Sequence, residues 1–71
     1  MKTEEIKKLL ESFGWEQIAS RNKFMVSFGK NDRRLNFYRN KTITIQGKTL
    51  TGIYKKNVET MEQLERIIQN I

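Results

Sequence analysis

The sequence predicts a single α+β domain that contains an antiparallel sheet of four or five strands arranged as a meander. One helix precedes the strands along the chain, and a second helix follows them. Two observations support this fold. Apolar residues recur at helical spacing near both ends of the chain, and between these ends they alternate with polar residues. The 71 residues contain no proline, low-complexity tract or internal repeat, so residues 1–71 are expected to form one domain in the order α-β-β-β-β-(β)-α.

Both terminal segments carry the signals of amphipathic helices. In the first, Thr3 is the predicted N-cap, and Gly14 ends the helix because glycine readily adopts the left-handed conformation after a last turn. In the second, Thr60 and Gln63 have the spacing of a capping box. The predicted buried stripes consist of Ile6, Leu9, Leu10 and Phe13 in the first helix and Met61, Leu64, Ile67, Ile68 and Ile71 in the second.

The segment 33–46 has the clearest pattern of a β-hairpin. Leu35 and Phe37 alternate with polar residues in its first arm, as Ile43 and Ile45 do in its second. Because opposite residues of an antiparallel pair share a face, this pattern pairs the four apolar residues across the sheet and leaves residues 39–41 as the loop. The predicted pairs are Phe37 with Ile43 and Leu35 with Ile45 on one face, and Tyr38 with Thr42, Asn36 with Thr44 and Arg34 with Gln46 on the other.

The segments before the hairpin predict one strong strand and one weak strand. In the strong strand, Phe24, Val26 and Phe28 alternate and are predicted to point inward. In the weak segment, 15–19, Ile18 is the predicted inward residue, whereas Trp15 could instead cover the end of the first helix. The predicted pairs with the hairpin are Phe28 with Leu35, Val26 with Phe37, Ser27 with Asn36 and Met25 with Tyr38.

After the hairpin, Gly47 and Lys48 predict a two-residue turn, and a further strand runs through Tyr54. Gly52 interrupts the alternation, so the pattern leaves open whether Tyr54 or Ile53 points inward. This turn would place Ile45 opposite Leu50 and Thr44 opposite Thr51. The predicted inward residues of the sheet are Phe24, Val26, Phe28, Leu35, Phe37, Ile43, Ile45 and Leu50. Both helices are expected to cover this face and to leave the second face open.

The composition argues against catalysis. Cysteine and histidine are absent, so zinc lacks its usual ligands, and acid-base or nucleophilic chemistry would fall to carboxylates, lysines or hydroxyls. The acids expected near the sheet, Glu16 and Asp32, lie on different segments. We therefore predict a non-enzymatic protein with no metal and no cofactor. No apolar run is long enough to span a bilayer, and the start of the chain lacks the apolar segment of a signal peptide, so the expected location is the cytoplasm.

Positive charge is concentrated in the middle of the chain, whose overall net charge is +6. Residues 21–56 hold ten basic side chains and one acid, a net charge of +9. Such a segment favours a polyanionic partner, although basic loops also keep small domains soluble and discourage strand pairing. The meander would place six of these cations at or near one end of the sheet, namely Arg21, Lys23, Arg39, Lys41, Lys55 and Lys56.

The second face of the sheet adds groups that could contact a nucleic acid. Tyr38 could stack on a base, and Asn36 and Gln46 could hydrogen-bond base edges. Tyr38 could equally be a simple cross-strand partner of Met25 and Thr42. The sequence therefore predicts a small nucleic-acid-binding protein, whose candidate contact residues are Arg21, Lys23, Arg34, Asn36, Tyr38, Arg39, Lys41, Lys55 and Lys56.

The hairpin and the element order also support comparisons with known families. The order resembles that of double-stranded RNA-binding domains, but the lysine-alanine-lysine signature of their second helix is missing from residues 61–71. Residues 34–38 and 42–47, followed by an amphipathic helix, resemble small proteins of bacteriophages and mobile elements, and also the TATA-binding-protein-like accessory domain of type III bacterial ribonuclease H. The resemblance to bacteriophage and mobile-element proteins implies an alternative function: an inhibitor or adaptor that binds a host protein, as anti-CRISPR proteins do. An unpaired edge strand could also form a homodimer.

Overall fold

The computed structural model describes residues 2–48 and 52–70 and confirms the predicted α+β fold. Within these residues no helix has the length and apolar character needed to cross a membrane. Five antiparallel strands form one sheet whose spatial order follows the chain. The elements are α1 (Thr3–Ser12), β1 (Glu16–Ile18), β2 (Met25–Lys30), β3 (Arg33–Tyr38), β4 (Thr42–Gly47), β5 (Tyr54–Asn57) and α2 (Met61–Gln69).

The helix ends agree with the sequence signals except at the first residue. Thr60 and Gln63 form the predicted capping box, with the Gln63 N–H donating to Thr60 Oγ1 at 3.2 Å. Gly14 follows α1 with a φ of +89°, as expected for a residue that ends a helix. The predicted N-cap was wrong by one position, because Thr3 is already helical and Lys2 is the N-cap.

The predicted register of the three central strands is confirmed. Phe28 lies opposite Leu35, and Leu35 in turn lies opposite Ile45, so one apolar row crosses the middle of the sheet. The β3–β4 ladder ends at the pair of Phe37 and Ile43, and the predicted pair of Tyr38 and Thr42 is not part of it. Because successive residues of a strand point to opposite faces, this register places the residues of β2, β3 and β4 on the faces that the sequence predicted.

The predicted connection between β4 and β5 was wrong. Gly47 still belongs to β4 and pairs with Arg33, so the chain does not turn at that point. As a result, Ile45 pairs with Tyr54 rather than with Leu50. Thr44 pairs with Lys55 rather than with Thr51, and both predicted partners lie outside the described residues. Because Tyr54 lies opposite Ile45, it is on the helix side of the sheet, and Ile53 is on the second face.

The core lies between the sheet and both helices, which cover the same face. Its centre is formed by side chains with no exposed surface, including Leu10 of α1, Phe28 and Leu35 of the sheet and Leu64 of α2. Trp15 is 2% exposed and packs in this core immediately before β1, so it covers the end of α1. The full cluster of buried residues is Ile6, Leu10, Trp15, Phe28, Leu35, Phe37, Ile43, Ile45, Val58, Leu64 and Ile68.

Two predicted core residues are exposed. Ile18 is 36% exposed because it pairs with Ser27, which places it on the face opposite the helices. Phe24 is 53% exposed because β2 begins only at Met25. The Phe24 carbonyl accepts a hydrogen bond from the Arg39 N–H, so the residue opposite Phe24 is charged and provides no apolar partner.

Candidate functional site

The centre of the second face is closed, in contrast to the prediction of an open face. Ser27 is fully buried and Asn36 is 6% exposed. Asn36 Oδ1 accepts hydrogen bonds from Ser27 Oγ at 2.8 Å and from Arg34 Nε at 3.3 Å, and its Nδ2 donates to Thr44 Oγ1 at 3.2 Å. Asn36, predicted to contact base edges, is instead a buried structural residue whose amide is engaged by the protein itself.

Arg34 joins this network to the loop that precedes β2. Its guanidinium donates a hydrogen bond to the Ala19 carbonyl at 2.9 Å, in addition to its contact with Asn36. The two contacts fix the orientation of the planar guanidinium on the second face. Next to it lies a hollow of about 270 Å³, which we call the face hollow. It is lined by Arg21, Asn22, Met25, Arg34, Asn36, Tyr38, Thr44, Gln46 and Ile53.

The exposed side chain of Phe24 lies next to two cations at one end of the sheet. Lys23 Nζ is 5.7 Å from the ring centroid, and the guanidinium carbon of Arg39 is 5.8 Å from it. Both distances are within the range of cation–π attraction. The ring contributes to a second hollow, the tip groove, of about 290 Å³. It is lined by Thr3, Ile6, Lys23, Phe24, Met25, Val26, Phe37, Tyr38, Arg39 and Lys41.

Backbone hydrogen bonds hold the tip groove in position. The Phe24 N–H donates to Asn22 Oδ1 at 2.8 Å, which closes a tight turn before the strand. On the other side of the groove, the Lys41 N–H donates to the Tyr38 carbonyl, and the Lys41 carbonyl accepts from Val58. Lys41 has a φ of +67°, a conformation in which residues other than glycine, asparagine and aspartate are uncommon. The side chains of both loops therefore project from ordered backbone.

The tip groove and the face hollow are neighbours at one end of the sheet. Met25 and Tyr38 line both, and we refer to the two hollows together as the path. Among the described residues that line this path, five are cations and none is a carboxylate. The cations are Arg21, Lys23, Arg34, Arg39 and Lys41.

The last two predicted contact residues line neither of these hollows. Lys55 pairs with Thr44 on the edge strand β5. Lys56 lines a separate hollow of about 450 Å³ between β5 and α2, together with Tyr54 and Arg66. Arg66 is already paired with Glu62 at 3.4 Å. The structure thus brings together Lys23, Arg39 and Lys41 in one groove and places Arg21 beside it, whereas Lys55 and Lys56 belong to the other edge of the sheet.

Phe24 is the residue of this site that sequence reasoning missed. Its alternation with Val26 and Phe28 indicated a core position. A signal against that position was available, because the correctly predicted pairing of Met25 with Tyr38 places Arg39, a charged residue, opposite Phe24.

Within the described residues, no group of three acidic side chains lies close enough to hold a metal ion. Comparisons with protein-family models, with curated protein sequences and with solved structures gave no match. Functional inference for this chain therefore depends on the geometry and charge of its own surface.

Proposed function

We propose that the protein binds nucleic acid through the tip groove. The observation that carries this proposal is the exposed Phe24 side chain next to Lys23 and Arg39, with Lys41 and Tyr38 lining the same groove. Single exposed apolar side chains are common on protein surfaces, so it is the combination of the ring with three cations in one groove that points to a partner. The neighbouring cations indicate that this partner is anionic.

The chemistry of the groove suits a phosphodiester chain. Lysine and arginine side chains hold phosphates and release condensed counterions, which supplies most of the affinity of non-specific binding. Aromatic rings add stacking surfaces for bases. The groove combines both kinds of group on ordered backbone, and none of its described lining residues is a carboxylate that would repel the phosphates.

Fluorescence anisotropy with labelled mixed-sequence oligonucleotides tests this proposal. The wild-type protein should bind at about 50 mM salt and lose affinity steeply as the salt concentration rises, because counterion release drives the association. The double variant Arg39→Gln and Lys41→Gln removes two cations of the groove. It should bind at least about tenfold more weakly at the same salt concentration and show a shallower salt dependence.

A matched control is the double variant Lys7→Gln and Lys8→Gln, which removes the same charge from exposed positions of α1. Neither residue lines the groove, so this variant should retain most of the affinity. Absence of binding to any oligonucleotide at low salt would refute the proposal. Equal losses in the two double variants would show that only net charge matters.

The second candidate function is binding to a host protein, as an inhibitor or adaptor. The observation in its favour is the edge strand β5, whose four residues are all exposed and which, among the described strands, pairs only with β4. Exposed strand edges can accept a strand from another protein. Ile53, which precedes β5, is 64% exposed and adds apolar surface there.

Parallel pull-downs from bacterial lysate with and without nuclease treatment distinguish the two candidates. A stoichiometric protein partner that survives nuclease, and is lost when Ile53→Asp alters the β5 edge, would favour the second function. Retention that depends on intact nucleic acid and on Arg39 would favour the first.

A further inference from the structure

We infer that the nucleic acid is single-stranded and that one unpaired base stacks on Phe24, next to Lys23 and Arg39. This inference rests on the proposed function and specifies the substrate class of the same site. Phe24 as a whole residue is 53% exposed, so part of its side chain is accessible to a ligand. The bases of a duplex are already stacked on one another, so an exposed ring gains little from them, whereas it can stack on any unpaired base.

The position of the flanking cations agrees with such a ligand. Lys23 Nζ and the Arg39 guanidinium each lie less than 6 Å from the centroid of the Phe24 ring. A base placed on that ring would bring its own phosphates within reach of these cations, because the phosphates and the base belong to the same nucleotide. Base stacking and phosphate neutralisation therefore act on the same nucleotide.

The face hollow offers the strand a second contact surface. It lies next to the tip groove at the same end of the sheet, and Met25 and Tyr38 line both hollows. A flexible single strand can bend from one hollow to the other, whereas a duplex is stiff over this length. Tyr38 offers a second ring along the path, and the fixed guanidinium of Arg34 lines the hollow beyond it. Arg21, which also lines the hollow, supplies a further cation for the strand.

The test compares four labelled probes of equal length: single-stranded DNA, single-stranded RNA, duplex DNA and an abasic phosphodiester oligomer. One or both single strands should bind more tightly than the duplex and the abasic oligomer. The single strand that binds more tightly identifies the natural ligand as DNA or RNA. Phe24→Leu should weaken binding of the single strand by about 5- to 150-fold, the factor that corresponds to the loss of one base–aromatic stack. It should leave binding of the abasic oligomer unchanged.

Phe24→Tyr preserves an aromatic ring and should retain most of the affinity of the wild type for the single strand. Circular dichroism checks that each variant is folded. Arg21→Gln should weaken binding of the single strand, because the strand continues into the face hollow. Duplex binding as tight as single-strand binding would overturn the inference and leave the proposed function intact. The inference would also be overturned, with the proposed function intact, if Phe24→Leu weakened the binding of all four probes equally or weakened the binding of none. Failure of every probe to bind would instead overturn the proposed function.

Discussion

The two ends of the sheet use the same types of residue in opposite ways. At one end, which we call the turn end, Lys30 Nζ donates a hydrogen bond to the Phe13 carbonyl at 2.7 Å. Its charge therefore lies at the C-terminus of α1, where a helix attracts cations. At the other end, the groove end, Lys23 and Arg39 lie beside an exposed ring. Within the described residues, neither forms a salt bridge.

The aromatic residues differ in the same way. Trp15, at the turn end, is 2% exposed and belongs to the core, whereas Phe24, at the groove end, is 53% exposed. Residue type alone therefore does not separate a structural group from a candidate contact group. The distinction comes from whether another element of the same chain covers the side chain.

The largest contrast is expected between the two aromatic residues. Trp15→Ala should lower the free energy of unfolding by about 3–5 kcal/mol, because it leaves a cavity in the core. This loss is a large part of the about 5–15 kcal/mol that typically stabilises a domain. Phe24→Ala should lower it by less, about 1 kcal/mol, because only part of the residue is buried and its cation–π contacts are solvent-exposed. Urea unfolding followed by circular dichroism measures both, and similar losses would contradict the distinction between the ends.

A smaller contrast is expected between two lysines. Lys30→Met keeps the aliphatic stem but removes the hydrogen bond to Phe13 and the charge at the helix end, so it should cost about 1 kcal/mol of stability. Lys23→Met should stay within about 0.5 kcal/mol of the wild type, because its amine is exposed. Binding should respond in the reverse order, with Lys23→Met the weaker binder. A stability loss at position 23 that matches the loss at position 30 would show that the groove end is also structural.

The smallest contrast concerns the two non-glycine residues that have a positive φ among the described residues. Asn31, in the turn end, has a φ of +56°, and Lys41, in the groove end, has a φ of +67°. Asparagine tolerates this conformation better than lysine does. The change in the free energy of unfolding should therefore be more favourable for Lys41→Gly than for Asn31→Gly, by roughly 0.5 kcal/mol.

Thermal unfolding and anisotropy on the same two variants complete this test. Lys41→Gly should weaken oligonucleotide binding, and Asn31→Gly should not. Such a result would indicate that lysine is kept at position 41 for its charge, at some conformational cost. A gain in stability with unchanged binding would remove Lys41 from the proposed contact surface.

The fold was predictable where local patterns are sufficient. The pairing of Phe28, Leu35 and Ile45 follows from period-2 alternation and short turns, and a shift by one residue would have moved every apolar side chain to the wrong face. The β4–β5 connection was not predictable in this way. A glycine followed by a lysine looks like a turn, and only the packing of Gly47 beside Arg33 shows that the strand continues.

The candidate site was predictable in part. The meander correctly brought Lys23, Arg39 and Lys41 to one end of the sheet, because strand order alone determines which loops are neighbours. The exposure of Phe24 follows from the charged residue opposite it, which the predicted pairing of Met25 with Tyr38 already indicated. The burial of Asn36 was not predictable, because it depends on side-chain hydrogen bonds with Ser27, Arg34 and Thr44 that the alternation of residues does not encode.

The buried position of Trp15 has a spectroscopic consequence. It is the only tryptophan in the chain, and it lies in the core at the turn end, away from the tip groove. Its emission should be blue-shifted in the native protein and should report unfolding with little interference from a bound ligand. A titration with oligonucleotide that leaves this emission unchanged, while anisotropy reports binding, would show that the core stays rigid when the groove end is occupied.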